Sequence, residues 1–189
     1  MDGSSGGEDG IRLDDRAVPV DPESVARAIG AAIRRAHAQP AAGRPVTLTA
    51  MAQVLLDAAA EADEPEMTSG PYLGRPVLEL ARLAAETVSV LPPAVGATVP
   101  IRPGLDLADC LLQPDGTVAI EGVRADGDRE VELAAAAVAV GERHGPAVVA
   151  PLLDAYGMDH LDLRRLDTGQ LLVGIARHLG VDLGTAGTG

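Results

Sequence analysis

The stretch ATVPIRPGLDLADCLLQPDGTVAIEGVRADG, residues 97–127, decides the fold that we predict for this chain. Its pattern predicts a strand, a polar loop, a β-hairpin and a second loop that leads into a helix. The turn signal Pro114-Asp115-Gly116 separates the apolar pair Leu111-Leu112 from the strand-like run 118–120. The hairpin is therefore predicted from local propensity alone.

Ala-rich segments on both sides of this stretch predict helices with marked ends. Asp21 before Pro22 is typical of a helix start, and apolar residues spaced three and four apart continue from there toward Pro40. Thr49 is the predicted cap of the next helix. A third helix is predicted to begin at Pro76 and to end near Leu91, and Asp128 is the predicted cap of a helix over 129–144. Two more helices are predicted, one beginning at Pro146 and ending at Gly157, the other beginning at Asp162 and ending at Gly180.

The length of 189 residues fits one domain with a hydrophobic core. The Gly, Ser and acidic residues at the beginning predict a disordered or extended N-terminal tail over residues 1–20. The folded domain is predicted over 21–180, and residues 181–189 are predicted to form a flexible tail.

Composition excludes several classes of function. The net charge is −13 and all fifteen basic residues are Arg, so no nucleic-acid partner is expected, because that affinity needs clustered positive charge. No apolar run approaches the ~20 residues of a membrane helix, and residues 1–10 lack the features of a signal peptide, so we predict no membrane association and a cytoplasmic location. The Arg, Ala and Gly usage is typical of a GC-rich bacterial genome. The single Cys110 is predicted to be buried and inert.

Taken in order with the central stretch, three flanking segments resemble the aminoglycoside phosphotransferases and their kinase-like relatives. The helix over 24–37 is similar to a buried helix near the start of that family's C-terminal lobe. The run DREVEL at 128–133 is similar to the helix start after its metal-binding loop, and 144–157 to its closing helices. The resemblance implies a mostly helical α+β fold: a protein-kinase-like C-terminal lobe with a small β-hairpin at the cleft.

The chain departs from this family where catalysis is concerned. Family members carry an N-terminal lobe whose Lys holds the nucleotide phosphates; this sequence has no Lys, and too few residues precede Ser24 to form that lobe. Members also carry His-Gly-Asp and, after a short spacer, Asn; the Asp accepts the substrate proton and the Asn helps bind metal. Arg102-Pro103-Gly104 and Asp109 stand at those places. Gly104 cannot accept a proton, so no catalytic residue is expected, and Asp106 is the nearest substitute.

The resemblance also implies a metal ligand after the second hairpin strand, where this chain has Glu121. Its side chain is longer than that of the family's Asp, and Mg²⁺ demands near-ideal octahedral geometry, so metal binding by Asp109 and Glu121 is disfavoured. We predict a cleft lined by Arg102, Asp106, Asp109 and Glu121. Arg102 is either an anion contact or, as we favour, the partner of one of these carboxylates, replacing a lost cation. His37, His144, His160 and His178 are predicted to be structural, with His37 as a helix C-terminal cap.

Three functions remain open from the sequence. The first is a catalytically degenerate, pseudokinase-like binding module or subunit of a larger complex, with a protein or peptide partner, in a system of the kind that modifies bacterial peptides. It needs no cofactor and is not active alone, and its exposed face could also support an oligomer. The second is a split phosphotransferase that uses Mg²⁺ and ATP only when a partner chain supplies the missing lobe. The third is a helical domain whose resemblance is coincidental. Only the first two require the hairpin to lie between the helix over 24–37 and the cleft.

Overall fold

Six helices account for most of the domain, and their ends follow the capping signals of the sequence. The computed structural model describes residues 10–15, 20–41, 45–63, 66–94, 98–122 and 125–185. Within these, the helices are α1 (Pro22–His37), α2 (Leu48–Glu61), α3 (Val77–Val90), α4 (Arg129–His144), α5 (Val149–Tyr156) and α6 (Leu163–Leu179). Single 3-10 turns precede α5 and α6 and another lies at Leu107–Asp109.

Short strands form two small three-stranded sheets. The strands are β1 (Ile11–Arg12), β2 (Pro45–Val46), β3 (Val99–Ile101), β4 (Cys110–Leu112), β5 (Val118–Ile120) and β6 (Ala125–Gly127). One sheet has the order β1-β4-β5, with both pairs antiparallel, and contains the predicted hairpin. In the other, β6 lies between β2, which is parallel to it, and β3, which is antiparallel.

Helix α4 lies at the centre of the core and is buried along most of its length. Its alanines allow close packing against α6, and α1 packs closely against α5. At that contact Gly30 faces the carbonyl of Leu152, and a Cβ at Gly30 would overlap it. Because few aromatic side chains are available, the core is made mostly of Ala, Val, Leu and Ile, and Tyr156 is the one buried tyrosine among the described residues.

Two predicted caps differ in the structure. Helix α2 begins one residue after Thr47, which caps it by accepting from the Ala50 N–H at 3.2 Å, so the predicted cap at Thr49 is wrong. Asp128 does precede α4, but its carboxylate makes no cap hydrogen bond there. It is buried and accepts instead from Arg165 and from the Leu48 N–H, since a buried carboxylate is best satisfied by a cation.

The predicted terminal tails are only partly covered by the described residues. Ile11–Arg12 is an extended strand within the predicted tail 1–20, whereas residues 1–9 and 16–19 lie outside the described residues. At the other end, Leu183 is 3 % exposed and joins the core, so the packed region continues beyond the boundary predicted at residue 180. The last residues of that predicted tail, 186–189, are likewise outside the described part. None of the helices described could cross a membrane.

Candidate functional site

A polar cleft lies along the hairpin, in the position expected from the family resemblance. Loop 102–109 follows β3, and residues 121 and 122 follow β5. The Glu121 N–H donates to the Asp109 carbonyl at 2.8 Å, which joins the two sides of the cleft. On the other face of the hairpin, Arg35 of α1 donates to the Val118 carbonyl at 3.2 Å. The hairpin therefore lies between α1 and the cleft, which argues against a coincidental resemblance.

Arg102 occupies the middle of this cleft. Its Nε donates to one Asp109 carboxylate oxygen at 2.8 Å and its Nη2 to the other at 2.5 Å, which is a bidentate pair. Its Nη1 donates to the Glu121 carbonyl. Gly122, with a φ of +99°, leaves room for the guanidinium, because a Cβ there would overlap Nη1. Both side chains of the pair are about four-fifths buried, so the pair is partly shielded from water.

Asp106 is held in place by local and long-range contacts. Its carboxylate precedes the 3-10 turn at Leu107–Asp109 and accepts from the Ala108 N–H, while its own N–H donates to Asp109. Its second oxygen accepts from Nη2 of Arg177 in α6 at 2.9 Å. Arg177 also donates to Glu142 of α4, at 2.5 Å, and so ties both helices to the cleft.

Glu121 turns away from Asp109 toward the N-terminal strand. Its carboxylate accepts from Nη2 of Arg12 at 3.2 Å, and Nη1 of Arg12 donates to the Ala108 carbonyl. Both side chains of this ion pair are about half exposed. The contact brings β1, far away in sequence, to the edge of the cleft.

Each of the three cleft carboxylates is therefore paired with a different arginine. Arg102 was predicted here from the sequence, whereas Arg12 and Arg177 were not, because neither is near the cleft in sequence and neither belongs to a motif. The alternation Ile11-Arg12-Leu13 is the one local signal that could have pointed to Arg12, since it is typical of a strand with one polar face. Arg177 lies in the last turn of α6, where a basic residue is ordinary.

This arrangement does not fit the Mg²⁺ ion that the fold family implies. A guanidinium already lies against both oxygens of Asp109 and against the backbone beside Glu121, and the Glu121 carboxylate is directed to Arg12. Mg²⁺ requires several oxygens converging at short distance, and no cluster of three or more His, Cys, Asp or Glu side chains in the described ranges could supply them.

Cys110 lies directly behind the cleft and is buried, as predicted. Its side chain is 1 % exposed and its Sγ lies 3.6 Å from the Asp106 carbonyl. Burial, with the neighbouring Asp109 charge as a second cause, raises the pKa of the Cys110 thiol to about 12. The thiol therefore stays protonated at neutral pH and cannot act as a nucleophile there.

A cavity of about 390 Å³ opens beside the cleft on the far side of Arg177. Residues 67–72, from the loop between α2 and α3, form one wall, and Gln170, Gly174 and Arg177 of α6 form another. Gly174 faces open space, because a Cβ there would have no neighbour within 4 Å. The side chains of Tyr72 and Gln170 line this cavity and form no hydrogen bond with another described residue.

His37 is a buried network residue, so the predicted role as a helix cap is wrong. Its Nε2 lies 2.8 Å from Glu132 and its Nδ1 lies 3.0 Å from the Tyr156 hydroxyl, which joins α1 to α4 and α5. The side chains of His37 and Glu132 are 5 % and 0 % exposed. The contact with His37 gives the buried Glu132 carboxylate, in the first turn of α4, a hydrogen-bond partner.

Comparisons with known proteins agree with this architecture. No family model matches the sequence, and no curated protein matches it significantly. Among solved structures, an aminoglycoside-3'-phosphotransferase of type VIII superposes with a TM-score of 0.64 at 19% identity, covering 82% of this chain and 61% of that one. A macrolide 2'-phosphotransferase of type I superposes with a TM-score of 0.55 at 19% identity, covering 90% of this chain and 60% of that one.

The chain thus spans about three fifths of the length of these two proteins. At such low identity the similarity concerns the fold and carries no residue roles. The mostly helical α+β, kinase-like architecture was predicted from the family resemblance, and the superpositions confirm that prediction. This chain has the kinase-like fold of the aminoglycoside phosphotransferases.

Proposed function

We propose that the chain is a catalytically degenerate, phosphotransferase-like binding module that acts as a subunit of a larger complex, with a protein or peptide partner. It corresponds to the C-terminal lobe of the fold and works without nucleotide or metal. The observation that carries this proposal is the position of Arg102, whose guanidinium holds both oxygens of Asp109 and the Glu121 carbonyl.

The Arg102 pair supports the loss of metal-dependent chemistry. An entering Mg²⁺ would have to displace a bidentate, largely buried guanidinium. The displaced cation would then lie next to the metal, and like charges at such separations repel strongly in a partly dry site. The same Arg that satisfies Asp109 therefore opposes metal entry.

The proton acceptor of the family is also missing. Gly104 stands at its place and has no side chain to accept a proton. Asp106 is two positions further along, where one oxygen accepts from Arg177 and the other from the Ala108 N–H. A carboxylate held in this way is directed at its own loop and at α6, and a substrate hydroxyl would have to compete with Arg177 for it.

The cavity beyond Arg177 supports a binding role. Its lining combines the apolar side chains of Met67 and Val138 with the polar groups of Tyr72 and Gln170, which bond to no other described residue. Most binding sites for small ligands combine apolar lining with a few oriented polar groups. A peptide segment could use the amide of Gln170 for its backbone and the apolar surface for a side chain.

The alternative is a split phosphotransferase, which the kinase-like fold favours. In that case a partner chain would supply the lobe that covers ATP, and binding of that lobe would have to turn Arg102 away from Asp109. Asp109 and Glu121 would then serve as metal ligands and Asp106 as the base. Both readings are compatible with a cytoplasmic bacterial protein.

Calorimetric titration with ATP, with and without MgCl₂, separates the two readings. For the purified chain we expect no binding heat in either condition. The same result is expected with the protein that co-purifies with it, identified by pull-down and mass spectrometry. Mg²⁺-dependent ATP binding together with phosphoryl transfer that Asp106→Asn abolishes would reject the binding-module proposal. Asp115→Asn, in the exposed hairpin turn, is the matched control.

A further inference from the structure

Strand β1 is bound to the hairpin in the manner of a peptide ligand. It is the outer strand of its sheet and pairs antiparallel with β4, with Ile11 opposite Leu112 and Arg12 opposite Leu111. The ladder is continued by the Leu13 N–H, which donates to the Cys110 carbonyl at 3.0 Å. Main-chain pairing of this kind supplies affinity in strand addition, and alternating side chains supply specificity.

Two side chains of this segment are recognised specifically. Arg12 lies over the cleft, where it donates to the Glu121 carboxylate and to the Ala108 carbonyl. Leu13 points into the core and is 4 % exposed. A shift of one residue would exchange these two positions, so the site reads the order of an arginine followed by a leucine. Ile11 is 41 % exposed, and an apolar residue is sufficient there.

The attachment of β1 to the domain is limited. The strand is two residues long, its arginine is 55 % exposed, and Leu13 is the one residue of the described segment 10–15 that joins the core. Every contact that holds it can be made equally well by a second chain with the same side chains in the same order. When such a chain replaces the internal strand, each of these contacts is therefore formed again.

We propose that the outer edge of β4, with Glu121 and the Ala108 carbonyl, is a binding site for an extended partner segment of the sequence type apolar-Arg-Leu, and that residues 11–13 fill it as an internal competitor. The Glu121 carboxylate, which accepts from Arg12, favours an arginine over an acidic residue at the middle position of such a segment. The proposal rests on the proposed function in one respect, because it takes the cleft to be a place of binding; it gives the chemistry of the partner.

The test uses the full chain and a labelled peptide with the sequence of residues 10–15, GIRLDD. In a variant with Arg12→Ser and Leu13→Ser the internal strand is weakened while the site is left intact. Fluorescence anisotropy should show the peptide binding this variant at least ~10-fold more tightly than the unmodified chain, because in the unmodified chain the internal strand competes with the peptide. Adding Glu121→Gln to the variant should weaken binding about 5-fold or more, because it removes the charge that Arg12 meets.

Two controls decide the outcome. A peptide of the same composition in scrambled order should not bind, and Glu79→Gln, at an exposed site on α3, should leave the affinity unchanged. Equal binding to variant and unmodified chain, or equal binding of the scrambled peptide, overturns the proposal. These results do not involve ATP or Mg²⁺, so they are independent of the calorimetric test of the proposed function.

A second measurement applies if the double variant fails to fold. In the unmodified chain, amide hydrogen exchange should be at least ~100-fold faster at Leu13 than at the buried amides of α4, because β1 opens without global unfolding. Equal protection at both places would show that β1 is an inseparable part of the domain and would overturn the proposal.

Discussion

At the scale of single residues, the two tyrosines form a natural pair for measuring the buried network. The Tyr156 hydroxyl contacts Nδ1 of His37 at 3.0 Å, and burial raises the pKa of Tyr156. Tyr156→Phe leaves that ring nitrogen without its partner, so we expect the free energy of unfolding to fall by about 1–2 kcal/mol. Urea denaturation of the variant and the unmodified chain measures this difference in the free energy of unfolding.

Tyr72→Phe is the matched control for this experiment. Tyr72 is half-buried and its hydroxyl bonds to no other described residue, so the same atom is removed without loss of a contact. We expect no change beyond about 0.5 kcal/mol. If both variants lose the same stability, the His37 contact is not what stabilises the fold.

Glu130 should make stability depend on pH. Burial raises the pKa of its carboxyl above the ordinary value of 4.5, and Arg165, whose Nε lies 3.8 Å away, compensates only in part. The unfolded chain therefore loses this proton more readily, so above that ordinary value the ionised group destabilises the fold. Below it, both states are protonated and the effect is absent.

Glu130→Gln should accordingly raise the free energy of unfolding at pH 7, and its advantage should shrink as the pH falls toward 5. Denaturant titrations at both values measure this, with the exposed Glu79→Gln as the control that shows no such trend. A variant that is less stable than the unmodified chain at pH 7 would mean that the Arg165 contact outweighs the desolvation of the carboxylate.

Residue roles in the cleft were only partly predictable from sequence. Pairing of Arg102 with an acid was predicted, but Asp106, Asp109 and Glu121 were all candidates, and the sequence does not indicate which one its side chain reaches. The structure selects Asp109, because the turn at Leu107–Asp109 directs that carboxylate back to β3. Arg165 as the partner of Asp128 had no local signal, since the pair joins residues 37 positions apart.

At the scale of elements, two glycines inside helices should respond oppositely to the same change. A Cβ at Gly30 of α1 would overlap the Leu152 carbonyl of α5, so Gly30→Ala should destabilise the fold by about 1–3 kcal/mol. Gly174 of α6 faces open space, so Gly174→Ala should stabilise it by about 0.5–1 kcal/mol through helix propensity. Thermal unfolding of both variants measures the difference; effects of the same sign would contradict the close contact of α1 with α5.

Helices were predicted more accurately than strands for a physical reason. A helix can be predicted from its own caps and periodicity, as Asp21, Gly145 and Gly180 illustrate. Strands β2 and β6 are two and three residues long, which is too short for alternation to be visible, and their partners are distant in sequence. Only the β4–β5 hairpin, which has a local turn, was predicted with both of its strands.

At the scale of the whole molecule, charge is distributed so that arginines bind the elements to one another. Arg12 joins β1 to the cleft, Arg165 joins α6 to the start of α4, and Arg177 joins α6 to both the cleft and α4. A guanidinium can serve two or three acceptors at once, which a lysine ammonium does with less geometric definition. The composition alone indicated the absence of Lys, but not this use of Arg.

The packing of α1 against α5 also determines when the protein can fold. His37 and Tyr156 are 119 positions apart, so on the ribosome the apolar stripe of α1 emerges long before its covering helix has been synthesised. During that interval the nascent chain exposes an apolar surface of the kind that chaperones bind. Renaturation from denaturant should be correspondingly slow for a helical protein, because distant segments must find each other before any of them is sheltered from water.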